Sequence, residues 1–176
     1  MSATPGCNPE EKQMPDTEAD QLPVLEFLQR RLAGTSQPDD RTHMRYPTAI
    51  SQLLDFDITE IGSGTASVTV KVDADRHGNQ QGTVHGGFLV ELADAAIGTA
   101  HSTLMRPAES FTSIDLRAVF LRPVWSDTLT ARAVPTHSGK TITHYHCDIV
   151  RQSDGKTVAT ATSTVMTLVG DRASGR

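Results

Sequence analysis

One carboxylate in this chain sits where its neighbours have no use for it. Asp94 falls inside residues 87–101, GFLVELADAAIGTAH, an alanine-rich run without proline. The run reads as one helix, apolar around most of its circumference. On a 3.6-residue period Asp94 shares a face with Val90, Ile97 and Gly98. Burying a carboxylate there is costly unless something compensates it. Two readings stand. Either that face is wet, with Glu91 one turn earlier sharing it, or Asp94 is an acid, base or nucleophile on a rigid element at the rim of a cavity.

Val84-His85-Gly86-Gly87 lies just before the helix. Two glycines permit close backbone approach. The N–H groups of a first helical turn are unpaired and can stabilise a developing oxyanion. His85 could orient a substrate, or could be a structural histidine bonded to nearby backbone. Asn79, six residues before His85, and Gln80 form a polar pair in the preceding loop. An amide there can bind a carbonyl or a water, but loop asparagine is also a common turn residue. His144 and His146 are two apart on one strand face, a spacing that can hold metal. No carboxylate or cysteine stands at a recognisable ligand spacing beside them. Trp125 reads as packing or interface, and Gly62-Ser63-Gly64 as a turn, not a phosphate cradle.

The elements that must position these groups follow from periodicity. Residues 21–33 read as a short helix with Pro23 in its first turn and Gly34 as its stop. Residues 35–47 are a linker. Residues 53–60 and 65–73 alternate and form a hairpin, and 74–86 is a loop. After the helix, strands are expected at 111–121, 127–135, 140–151 and 157–169, the last three joined by tight turns. Long antiparallel strands must bury one face, and only the 87–101 helix can fill it. The fold class is therefore α+β, a long antiparallel curved sheet wrapped around a central helix. Exposed sheet edges favour pairing with a second copy.

Residues 1–20 read as a disordered tail, 21–47 as an amino-terminal helix and linker, 48–170 as the compact domain, and 171–176 as a second tail. Two cysteines, Cys7 and Cys147, cannot make a disulfide framework. A formal net charge of −5 gives no support to nucleic-acid binding. No stretch approaches the roughly 18 apolar residues of a membrane span. The first residues lack a basic-then-apolar pattern, so cytoplasm is the expected compartment.

The spacing Asn79, His85-Gly86-Gly87, Asp94 resembles the signature of hot-dog-fold acyl-CoA thioesterases, in particular the phenylacetate-pathway type. The segment Ser113-Ile114-Asp115-Leu116-Arg117 through Arg122-Pro123 is similar to that family's second motif. The likeness covers about residues 48–169. It implies hydrolysis of an acyl-CoA thioester, with coenzyme A as part of the substrate and no cofactor or metal. It implies Asp94 as general base or nucleophile, the Gly86 N–H as oxyanion donor, Asn79 orienting water or carbonyl, and His85 supporting the loop. A strand hydroxyl positions the water; motif matching puts it at Ser113, and counting from Asp94 puts it at Thr112. Gly87 and Phe88 would lie against the substrate, and Phe88 and Leu89 would line the acyl cavity, with residues 21–33 a possible cover. Arg117 and Arg122 are candidates for the coenzyme A phosphates. The resemblance also implies a homodimer or dimer of dimers with sites at the dimer interface. An acyl-thioester hydratase or dehydratase, or a non-catalytic acyl-CoA-binding module, are the alternative readings.

Overall fold

The structure, a computed structural model, describes residues 21–173. The tail expected over 1–20, the end of the second tail and Cys7 lie outside the described residues.

Helix α1 (Val24–Ala33) begins one residue after Pro23. Pro23 is the N-cap, in extended backbone at φ −53° and ψ 141°, and does not lie within the first turn. Gly34 ends the helix in left-handed geometry at φ 68°, which a side chain would resist. Val24 and Leu28 are buried where α1 packs on the first strand.

The run 53–60 divides between two elements. Thr48 caps a short helix α2 (Ala49–Leu54) by accepting the Ser51 N–H, and Asp55 turns the chain at φ 57°. Strand β1 (Asp57–Gly62) starts only there. Leu54, Phe56 and Ile58 alternate by coincidence: they belong to a helix end, a buried connection and a strand. Strand β2 (Thr65–Asp73) matches its expectation. In the loop 74–86, Asp73 caps a single turn α3 (Ala74–His77), and one bridge joins Gly78 to Val84.

Helix α4 (Gly86–Ser102) is the centre of the molecule. It contacts every strand of a six-stranded sheet completed by β3 (Ser110–Phe120), β4 (Ser126–Ser138), β5 (Ile142–Arg151) and β6 (Thr157–Leu168). The order is β1-β2-β4-β5-β6-β3 and every pair is antiparallel. A sheet that touches one helix with all its strands has closed its apolar face on that helix, as the α+β reading expected. Leu92, Ala93, Ala96 and Ile97 of α4 meet Val68, Val70, Leu129, Tyr145 and Cys147 in one core. The opposite face is polar. A row of hydroxyls crosses it: Thr59 to Thr69 at 3.2 Å, Thr69 to Thr130 at 3.0 Å, and Gln152 donating to Thr130 at 3.2 Å. The last turn, Gly170–Arg172, is a 3-10 helix.

Strands β1 and β3 are the sheet edges. β3 carries an irregularity that matters for the site. Its register with β6 runs from Ser113 opposite Val165 to Asp115 opposite Thr164, so Ile114 is an extra residue. A bulge of this kind reverses which side chains face inward beyond it. Before it, Phe111 and Ser113 face α4; beyond it, Leu116 and Ala118 do.

Candidate active site

α4 is not apolar all round. Glu91, Asp94, Ala95 and Gly98 are half-exposed, and they recur at the three- and four-residue spacing of one stripe. The Asp94 carboxylate is neither fully wet nor enclosed. It lies in an open cleft of about 1080 Å³, shared with Glu91, Tyr46, Glu109 and Phe111. Burial pushes its pKa above the ordinary aspartate range, and the Ser113 hydroxyl pulls part of that back. Glu91 is raised too, by burial and then by the charge of Asp94.

Ser113 Oγ stands 3.5 Å from Asp94 Oδ1, a long contact across two elements. Thr112 is the next residue on the strand and its side chain takes the other face. The strand hydroxyl within reach of Asp94 is therefore that of Ser113.

The loop before α4 is built by its own side chains. His85 is the N-cap, its Nδ1 accepting the Gly87 N–H at 2.9 Å. Asn79 Oδ1 accepts the backbone N–H of Gln81 at 2.8 Å and of Thr83 at 3.3 Å, while its amide donates to the Thr83 hydroxyl. Both residues thus hold the loop closed. The Gly86 N–H, at the first position of the helix, has no acceptor among the described residues. Phe120 lies against Gly86: a Cβ there would come within 2.9 Å of its ring.

Phe88, Leu89, Arg117, Arg122 and α1 do not border the Asp94 cleft of their own chain. Phe88 packs edge-on against Phe56, at 5.5 Å between ring centroids, and tilted against His77 at 4.4 Å. Leu89 is buried in the core. Neither lines the cleft beside Asp94. Its wall is the linker instead, through His43, Met44, Arg45, Tyr46 and Thr48. α1 covers a separate cavity of about 210 Å³ lined by Leu28, Leu32, Tyr46 and Phe56. Arg117 is exposed on the side of β3 away from α4, and Arg122 donates to the Thr157 carbonyl at 2.5 Å. Neither arginine has a carboxylate partner among the described residues. His144 bonds the Thr164 hydroxyl and His146 bonds Asp148, and no cluster among the described residues has a metal-binding donor set.

Periodicity had no means of finding the linker wall, because a linker has no period. The Tyr46 hydroxyl is 2.6 Å from Ser102 Oγ, near the far end of α4. His101, at the end of the apolar run, stands in no motif that would single it out. It is buried, bonded to Tyr145 and Thr167, and edge-on to Phe111 at 5.2 Å. Burial lowers its pKa to about 4, so it is a neutral prop behind the cleft wall.

The family model described as the thioesterase superfamily matches residues 81–158, from the loop before α4 to the start of β6. A Haemophilus influenzae protein named "putative esterase" is 34% identical over 104 residues, 58% of this chain and 72% of that protein. This chain belongs to the hot-dog-fold thioesterase superfamily. The phenylacetate-pathway branch that the motifs resemble is represented among the solved structures. The PaaI protein of the phenylacetic acid degradation operon of E. coli superimposes with a TM-score of 0.68 at 29% identity, over 85% of this chain and 98% of its own. A hypothetical thioesterase of Streptococcus pneumoniae, solved with coenzyme A, gives 0.61 at 28% identity, over 69% and 91%. Membership makes the chain an enzyme of the thioesterase class. No helix among the described residues of this superfamily member is long and apolar enough to cross a membrane.

Proposed function

We propose that this thioesterase hydrolyses acyl-coenzyme A thioesters at a site shared by two subunits, with Asp94 of one facing Gly86 of the other. The observation that carries this reading is the placement of Asp94, a half-buried carboxylate with a raised pKa and a hydroxyl beside it, in an open cleft. Membership of the superfamily and a relative solved with coenzyme A supply the substrate class.

Helix geometry supports a site built from two subunits. Gly86 and Asp94 are eight residues apart on α4. That is about 12 Å along the axis and about 80° around it. One thioester carbonyl cannot lie within hydrogen-bond reach of both in the same chain. A second copy, its α4 running the opposite way, supplies the missing half, and the open edge of β3 is the place for it to pair.

In this arrangement Asp94 takes a proton from water and Ser113 orients that water. The oxygen bonds to the carbonyl carbon, and the charge that forms on the carbonyl oxygen is held by the Gly86 N–H and the helix N-terminus. That charge is absent before attack, so the stabilisation is selective for the transition state. Collapse breaks the C–S bond, the coenzyme A thiolate takes the proton from Asp94, and free acid leaves. His85 and Asn79 act through the loop: they set the direction of the Gly86 N–H. Gly87 lies beside that donor. Arg117, and the part of the Arg122 guanidinium not bonded to the Thr157 carbonyl, would meet the coenzyme A phosphates along the subunit boundary.

Thiol release from a panel of acyl-CoAs, compared with Asp94→Asn, tests the reading. Wild type releases thiol, and the variant loses roughly a hundredfold to ten-thousandfold in kcat. Undiminished hydrolysis in Asp94→Asn refutes the role of the carboxylate. Tight acyl-CoA binding without hydrolysis by wild type supports a binding module. Direct attack by Asp94 would leave a mixed anhydride that hydroxylamine traps, and none is expected.

A further inference from the structure

The half-exposed stripe of α4 holds one residue that packing does not explain. Gly98 lies one turn beyond Asp94, inside a helix of 17 residues. Glycine is unfavourable there, because it loses more backbone freedom than alanine and has no side chain to pack. Two structural reasons would justify it, and both are missing. Its φ is not among the positive ones. Nor does anything of its own chain press against it: a Cβ built at Gly98 meets only the Phe111 ring, with Cε2 and Cζ both at 3.8 Å. Gly86 differs, since a Cβ there collides with Phe120.

The missing side chain therefore leaves space, and the space is in the cleft of Asp94. Apolar side chains line it among polar ones. Phe111 is one of them, with the His101 ring packed edge-on against it. Tyr46 and Ile50 line the same cleft, with Tyr46 fixed through its hydroxyl to Ser102. Ala95 adds only a methyl to the same floor.

We propose that Gly98 is a specificity-determining residue: the acyl group runs from Asp94 along α4 over Gly98, between Tyr46 and Phe111, and the absent side chain sets the bulk accepted. The class of acyl group is apolar and longer than acetyl. This rests on the acyl-CoA hydrolysis proposed for Asp94. With the carbonyl held by Gly86 of the other subunit, the cleft that continues past Asp94 along its own α4 is the space left for the acyl group.

The test compares Gly98→Ala and Gly98→Leu with wild type on straight-chain acyl-CoAs from acetyl to dodecanoyl, alongside thermal melting of each full-length protein. Gly98→Ala should melt at the wild-type temperature or above it, which separates specificity from folding. In Gly98→Leu the ratio of kcat/KM for octanoyl-CoA to that for acetyl-CoA should fall by roughly tenfold to a hundredfold. Gly98→Ala should lower it by less, and adding Phe111→Ala to Gly98→Leu should restore part of it. A loss equal at every chain length, or no loss, overturns the proposal. If wild type hydrolyses none of the panel, it is the hydrolytic reading that fails. The Gly98 proposal is then decided by binding of dodecyl-coenzyme A thioether, which must weaken in Gly98→Leu.

Discussion

Asp94 is an acid whose pKa folding raises. The folded chain keeps its proton over a range of pH in which the unfolded chain has lost it. The stability this contributes is present at low pH and disappears as pH rises through that range. Asparagine cannot ionise, so the melting temperature of Asp94→Asn should gain on wild type from acid toward neutral pH, while activity collapses. The acid limb of kcat/KM should lie above the ordinary aspartate range. Ser113 lowers the same pKa, so Ser113→Ala should move that limb further upward; a limb that stays in place or moves down would disconnect the hydroxyl from Asp94. His85 is expected to act through the loop and not on the substrate. As N-cap it bonds the Gly87 N–H, and His85→Ala should cost about 0.5–2 kcal/mol in denaturant unfolding. His85→Ser can cap as well, so it should recover both stability and most activity. Recovery of stability without activity would give the imidazole a direct part in catalysis.

At the scale of elements, the strand count and the central helix were legible because hydrophobic period survives in long segments. β2 and α4 agree with their sequence boundaries to within a residue, since each is nine residues or longer and has one buried side. Short elements were not legible. α2 has six residues and no buried side chain, so its apolar residues carry no information about a face. The linker wall is held by single contacts such as Tyr46 to Ser102, which leave no repeating pattern. The choice between Thr112 and Ser113 shows the limit in one place. Alternation along 111–121 assumes an unbroken strand, whereas the extra residue Ile114 changes sides midway. Only with the bulge can Phe111 and Ser113 face α4 together with Leu116 and Ala118. Deleting Ile114 should force a choice: either Ser113 leaves Asp94, or the apolar end of β3 turns to solvent. Activity should fall along with stability, by about 1–3 kcal/mol, and an active, fully stable deletion variant would show that the bulge positions nothing.

The whole molecule is half of the site proposed for it. A test at that scale needs two inactive proteins. Asp94→Asn keeps the oxyanion donor and lacks the carboxylate. Gly86→Pro does the reverse, because proline has no N–H and is tolerated at the first position of a helix; the exposed Phe120 ring can yield to it. Mixed and allowed to exchange subunits, the two should regain up to about a quarter of wild-type activity, as half the dimers then hold one intact site. Activity that never rises above that of the separate variants would place both groups within one chain. The hydroxyl row on the polar face has a consequence for how this molecule opens. β1 is an edge strand, paired on one side only, and edges ordinarily fray on their own. Thr59, at its irregular register, is linked through Thr69 to Thr130 and on to Gln152. Peeling β1 away therefore also breaks its tie to Thr69, a side chain itself anchored through Thr130 in the middle of the sheet. Its amide protons should exchange with solvent on the schedule of β2 and β4, as one cooperative unit and not as a loose margin.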